Sequence, residues 1–392
     1  MFLQSGAASQ EQARQSFRGP ALMFLITALF WFCQYAITPY INAELIRMGA
    51  SGALQGLVGS VYGLSQMMLR LPLGLQADRI GRQKPFIVLG CLLAALGVAG
   101  FFLWYTPMSF VVLRGIAGMA AASWVSFTVL FGSYFPPRDG PRRISQLNIA
   151  NQAGRLLCFV LIGWAVSRWS LRSAFVIGAA AGGLCFALSL MIKENRQAAH
   201  PLDLNNVRLV LRDRNMQVTC LLGFLVQTIA FGTYFSFANN LAVRLQASDQ
   251  QLSTLSVVLS LPAVLTNLFA SGWLVKRLPV VRLITLGFGL AVIYCVLAPL
   301  ASSMGMLYAC QAVAGVSSGL TFSLLLGQGM RDIDPSLRST AMGLYQTIYG
   351  LGMTLGPLLM GLVIDLQGLN QAFFLMAGIS LVTAVLTARL LK

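Results

Sequence analysis

Apolar residues along this chain gather into runs of about twenty, separated by short polar links, without the period-two alternation of strands. Runs long enough to span a bilayer occur near 21–46, 54–76, 86–105, 109–131, 146–168, 173–192, 217–242, 252–275, 283–302, 305–326, 340–366 and 370–391. Each is as long as, or slightly longer than, the ~17–25 residues a transmembrane helix needs. The pattern predicts an all-α polytopic membrane protein with twelve transmembrane helices and disfavours a β-barrel, whose strands alternate. Only Thr106, Pro107 and Met108 separate the third and fourth runs, and Pro107 suits a tight turn there. The N-terminal residues lack an apolar core followed by a small-residue cleavage site, so the first run is expected to remain as a helix.

The longest polar interval, 193–216, divides the runs six and six. The expected organisation is a cytoplasmic tail (1–19), a six-helix bundle (20–192), a cytoplasmic linker (193–216) and a second six-helix bundle (217–392). Within the linker, LNNVRLVLRD reads either as a short amphipathic helix on the membrane surface or as a solvated link.

Composition strengthens the membrane reading. The chain has 392 residues, 57% of them hydrophobic and 10% charged, against roughly 25% charged in soluble domains. A formal net charge of +16 would suit a nucleic-acid partner, but the cations lie in the links between apolar runs, so none is expected. With the N-terminus in the cytoplasm, only Arg47, Arg168, Arg172 and Arg244 of the 27 Lys and Arg fall outside. Arg70, Arg114 and Arg155 fall within runs, and the other twenty lie inside. This positive-inside bias predicts a multi-pass protein of the cytoplasmic (inner) membrane with both termini cytoplasmic. The seven cysteines lie in or beside apolar runs without metal spacing, and the single histidine, His200, lies in a polar loop. No metal site or cofactor is expected.

The halves repeat one another. LRGIAGMAAA (113–122) matches CQAVAGVSSG (310–319) at an offset of 197, and Gly154, Gly163 and Phe175 match Gly352, Gly361 and Phe373 at 198. GLQADRIGRQK (74–84) has a degraded copy at 272–279, with Lys276 in place of Asp78. A period near 200 residues indicates duplicated bundles.

These features resemble the major facilitator superfamily. The resemblance rests on Gly74, Asp78, Arg79, Gly81, Arg82 and Lys84 between helices 2 and 3, and on Arg114 and Gly118 in helix 4. It also rests on the six-plus-six layout and the loop copy, and covers the chain after residue 20. It implies two pseudo-symmetric bundles rocking about a central site by alternating access, with helices 1, 4, 7 and 10 lining the cavity. It also implies a cytoplasmic latch in which Asp78 accepts hydrogen bonds from the start of helix 11, near Ser339 and Thr340, while Arg82 pairs with Asp139. Gly74 would permit close helix approach and Gly81 a tight turn.

Candidate site residues follow from the cost of burying polar groups in a bilayer, about 2.5–3.5 kcal/mol for a charge on insertion scales. Asn148, Asn151, Gln152 and Arg155 are spaced i, i+3, i+4, i+7 and share one helix face. That face meets either a polar cavity or a neighbouring helix. Arg114 reads either as an anion site or as paired with Glu44 or backbone carbonyls. Arg70 is expected to snorkel to the cytoplasmic surface in a structural role. Trp31, Gln34, Tyr35, Gln227, Gln311, Gln346 and Tyr349 are candidate wall residues, with ordinary interhelical hydrogen bonding as the alternative. Glu44 is the main candidate for proton coupling and Asp365 a weaker one, since neither lies at the membrane centre.

An enzyme is not expected, because the chain carries no Ser/His/Asp set and no Walker A motif. The expected function is a monomeric secondary active or facilitative transporter, moving a small polar or anionic organic solute, with or without a coupling proton. The alternative is a proton-coupled efflux antiporter for amphipathic drugs. Exporters of the resembling family tend to carry a Gly-Pro-rich motif in helix 5; here helix 5 reads GRLLCFVLIG, and GMTLGPLLMG lies in helix 11.

Overall fold

The computed structural model describes residues 2–135, 140–194, 204–331, 333–334 and 337–391; at 2–18, 78, 140–142, 145, 204–206, 271, 338 and 339 it describes the backbone alone. The first half comprises α1 (Phe2–Tyr35), α2 (Ile41–Arg47), α3 (Gly52–Ile80), α4 (Lys84–Leu103), α5 (Pro107–Ala122), α6 (Trp124–Ser133), α7 (Gly140–Arg168) and α8 (Arg172–Leu190). A short α9 (Leu204–Arg212) leads into the second half. That half comprises α10 (Arg214–Gly232), α11 (Ala238–Arg244), α12 (Asp249–Gly272), α13 (Val280–Leu297), α14 (Met304–Met330), α15 (Arg338–Gln367) and α16 (Leu369–Leu390). Among the described residues, eleven segments are long and apolar enough to cross a membrane. The twelfth crossing is α3, whose 29 residues include Gly, Ser and Gln because it packs between α5 and α15. The even number of crossings brings both chain ends to one side, called here the terminal face; the other is the far face.

Three of the expected continuous helices are broken. The run at 21–46 stops at Tyr35, passes through a one-turn 3-10 helix (Thr38–Tyr40) and resumes as α2. Pro39 supplies the cause, since it lacks an N–H and disfavours helical geometry in the residue before it. The run at 217–242 breaks at the equivalent place without a proline. There the Thr233 carbonyl accepts from the N–H groups of Phe237 and Ala238, which redirects the chain. The run at 109–131 is interrupted at Ser123, whose hydroxyl donates to the Ala120 carbonyl at 2.7 Å. At the other end of the scale, α3 runs four residues past its expected end, so most of GLQADRIGRQK is helical. It stops at Gly81, whose φ of +68° is the left-handed geometry of a helix C-cap. The Gly81 and Arg82 N–H groups donate back to Ala77. Gly74 does not serve a close helix approach: a Cβ there would meet only Val125, at 3.9 Å.

In the linker, α9 packs on α10 and α15 and buries Val210 beside Met216, Cys220 and Tyr345, while Leu209 and Leu211 stay exposed. All seven cysteines are buried and unpaired.

The halves meet along two helix pairs, α3 with α15 and α7 with α12. On α3, a Cβ at Gly52 would lie 2.7 Å from the Gly361 carbonyl, and one at Gly63 would lie 2.9 Å from the Met353 backbone. The Ser60 hydroxyl donates across the gap to the Thr354 carbonyl at 2.6 Å. On the other side, Ser253 donates to the Phe159 carbonyl at 2.6 Å. Nearer the terminal end of α15, an added Cβ at Gly343 would meet nothing within 4 Å.

Candidate functional site

The broken helices place a buried amide cluster on the pseudo-symmetry axis near the far face. Asn42 of α2 and Asn240 of α11 are 198 positions apart, the repeat offset, and hydrogen bond to each other at 3.0 Å. Asn240 donates in turn to Gln55 at 2.6 Å, and Asn239 donates to the Pro39 carbonyl at 2.7 Å. Around this cluster lie the acids expected to couple protons. Glu44 binds Arg47 and the Tyr105 hydroxyl, and Arg47 reaches Asp249 of the other half at 2.6 Å. Burial, reinforced by the Glu44 carboxylate, pushes the Tyr105 phenol well above its ordinary pKa, so it remains the donor in this pair. Asp365, at the end of α15, accepts the N–H groups of Gly52 and Ala53 at 2.6 and 2.8 Å. These are the free donors of the first turn of α3, where the helix dipole also favours an anion. The far face is therefore closed by a carboxylate on a helix N-terminus, an interhalf ion pair and a buried amide cluster. The expected pairing of Glu44 with Arg114 is not formed, because Glu44 lies in this far-face cluster.

Between the halves, on the terminal side of that closure, lies a cavity of about 260 Å³. Asn148, Asn151, Gln152 and Arg155 all line it, so the polar face of α7 meets a cavity rather than a neighbouring helix. Trp31, Tyr35, Gln227 and Tyr349 line it too. Other expected wall residues are placed elsewhere. Gln34 donates to the Ala117 carbonyl at 2.9 Å, tying α1 to α5. Gln311 is 1% exposed and donates to the Tyr234 carbonyl at 3.1 Å, tying α14 to the break between α10 and α11. Gln346 lies on α15 outside the lining. Arg114 sits behind the wall, with its guanidinium 4.2 Å above the ring of Tyr62, which does face the cavity.

The wall also holds residues that sequence reasoning placed elsewhere or passed over: Arg70, Gln66, Trp124, Asn267, Ser260 and Phe322 among them. Arg70 does not snorkel to the surface. It is 7% exposed and donates to the Tyr349 hydroxyl of the opposite half at 3.0 Å. Its position one turn before Gly74 suggested proximity to the membrane edge. Instead α3 continues to Ile80, and Arg70 lines the cavity between the halves.

The electrostatics are one-sided. Among the described residues lining the cavity there is no Asp or Glu. The guanidiniums of Arg155, Arg114 and Arg70 each lie over a tyrosine ring (Tyr35, Tyr62 and Tyr349), at 5.5, 4.2 and 6.0 Å from its centroid. Such cation–π contacts are worth about 0.5–2 kcal/mol and leave the charge uncompensated. Among the described residues, the Nε of each arginine and the indole N–H of Trp31 are buried without an acceptor. The cavity wall itself carries the cations Arg155 and Arg70.

In the loop between α3 and α4, Lys84 donates its Nζ to the Leu190 carbonyl at 2.8 Å, and the Glu194 carboxylate accepts the Lys84 N–H at 2.9 Å. Arg79 and Arg82 are exposed. Asp139 and the side chains of Asp78 and Ser339 lie outside what the structure describes, and with them the proposed latch.

A model of the Major Facilitator Superfamily matches residues 21–242 and 219–392. An uncharacterized MFS-type transporter of Mycobacterium tuberculosis is 26% identical over 91% of this chain and 88% of its own length. An efflux pump of Aspergillus niger is 26% identical over 41% of this chain, and the chain spans only 35% of that relative. Among solved structures, the nucleoside transporter NupG superposes with a TM-score of 0.78 at 15% identity, covering 96% of this chain and all of NupG. The family model spans nearly the whole chain, and the twelve crossings, duplicated halves and central cavity agree with it: the protein belongs to the major facilitator superfamily.

Proposed function

We propose that this membrane transporter carries a small organic anion across the cytoplasmic membrane by alternating access, with the cavity open toward the cytoplasm. The observation that carries the substrate class is a cavity wall that, among the described residues, bears Arg155, 8% exposed, and no Asp or Glu. A buried cation left unpaired is costly, and an anionic solute would remove that cost. The positive-inside bias supports placing the open, terminal face in the cytoplasm with both chain ends. Glu44 and Asp365 sit in the far-face closure, so a coupling proton would act on that closure rather than on the solute. A monomer embedded in lipid suffices for this cycle. Efflux of cationic amphipathic drugs is less well supported, since such a solute would meet Arg155 and Arg70 and no carboxylate.

The test is transport in reconstituted vesicles together with thermal shift of the purified chain against a panel of organic anions. A native-state ligand raises apparent stability. An anion that stabilises the wild type should lose its effect, and its transport, in Arg155→Ala. Transport unchanged in a folded Arg155→Ala protein would refute the role of Arg155.

A further inference from the structure

We infer that the solute is an aromatic carboxylate, of single-ring size, bound with its carboxylate on the Arg155 guanidinium and its ring between aromatic walls from the two halves. This deepens, and rests on, the organic-anion reading. Arg155 and Trp31 both line the cavity, at 8% and 6% exposure, and among the described residues Arg155 meets no carboxylate. Tyr35 lies beside both: the Arg155 guanidinium is 5.5 Å from its ring centroid, and the Trp31 ring is 5.9 Å away. A planar guanidinium on the cavity wall with no acid beside it matches a carboxylate.

The rest of the lining favours a flat, apolar body. In the first half Trp31 continues into Trp124 at 5.5 Å. In the second half Phe322 packs edge-on against Tyr349 at 5.8 Å, and both line the same cavity. Aromatic faces prefer another ring over an alkyl chain of equal area. Arg70, on the same wall, donates one N–H to the Tyr349 hydroxyl, which orients the guanidinium without neutralising it. The cavity, at about 260 Å³, falls below the ~300–1,000 Å³ typical of sites for drug-sized ligands.

The test uses the full chain purified in lipid nanodiscs, titrated with benzoate, its neutral isostere benzamide, cyclohexanecarboxylate, succinate and inorganic phosphate. Tryptophan fluorescence and thermal shift are the readouts. Benzoate should bind saturably, with benzamide and Arg155→Gln each weaker by about 10–150-fold, the range expected for hydrogen bonds to a charged group. Trp124→Leu removes one aromatic wall and leaves Arg155 in place, and should weaken benzoate by roughly 2–10-fold; it serves if Arg155→Gln does not fold. Benzamide or cyclohexanecarboxylate binding as tightly as benzoate would overturn the inference. If benzoate fails while succinate or phosphate binds in an Arg155-dependent way, the aromatic assignment falls and the organic-anion reading stands. If no anion binds, both fall.

Discussion

Replacing Gly52 by alanine tests whether backbone proximity between α3 and α15 closes the far face. Within its own helix the change is benign, since Gly52 does not have a positive φ and Gly→Ala at a helical position usually stabilises by about 0.4–1 kcal/mol. The cost comes only from the other half. The new Cβ would lie 2.7 Å from the Gly361 carbonyl oxygen, 2.8 Å from Asp365 Oδ1 and 2.9 Å from Ile364 Cγ2. Ordinary contact begins at 3.4 Å, so the backbones must part by 0.7 Å (3.4 less 2.7). Added to the Asp365 hydrogen bonds of 2.6 and 2.8 Å, that displacement takes both past the ~3.2 Å limit of a good N–H···O bond. Overpacking of this kind costs about 1–3 kcal/mol. It falls wholly on the far-closed state, so the ratio of far-open to far-closed molecules should rise roughly 5–150-fold. Spin labels at the exposed positions Trp169 and Leu300, on the far face of opposite halves, would report it as longer distances by pulsed electron resonance. A pair at Ile80 and Leu278 on the terminal face should shorten. Unchanged distributions in a folded protein would refute the view that this approach holds the far face shut.

Other perturbations address separate parts of the molecule. Asn240→Ala removes the acceptor of Asn42 and the donor to Gln55 Oε1, leaving Asn42 only the Ser236 carbonyl and Gln55 only the Ala50 carbonyl, at a cost of about 1–3 kcal/mol, and should lengthen the same far-face distance; no change would mean the amide cluster is not part of the closure. Tyr349→Phe removes the hydroxyl that Arg70 meets at 3.0 Å, and should broaden the terminal-face distance distribution while leaving the melting temperature nearly unchanged. Gly81→Ala forces a left-handed residue at φ +68°, costing about 1–2 kcal/mol, and should lower the thermal midpoint of the purified protein. An unshifted midpoint would show that α3 can end another way.

Much of the architecture is legible along the chain because it answers to solvent. Membrane spans need apolar length, and the links need cations. The α7 stripe ending at Arg155 needs a polar surface opposite it, because a bilayer offers none. The Gly81 turn needs a residue free to adopt positive φ. These demands are local, so composition and spacing carry them, and the repeat offset of 198 even marks Asn42 and Asn240 as equivalents. Breaks at 36–40 and 233–237 escape a hydropathy pattern because an interrupted helix is as apolar as an intact one; Pro39 hinted at the first, and nothing comparable marked the second. What only the tertiary structure decided is pairing between the halves: Arg70 with Tyr349, Gly52 with Asp365, Arg47 with Asp249. These partners lie 279, 313 and 202 positions apart. Each side chain alone is compatible with lipid edge, loop or cavity. Its partner is chosen by how two bundles lean on one another, a property of backbone approach at glycine contacts that no single segment contains.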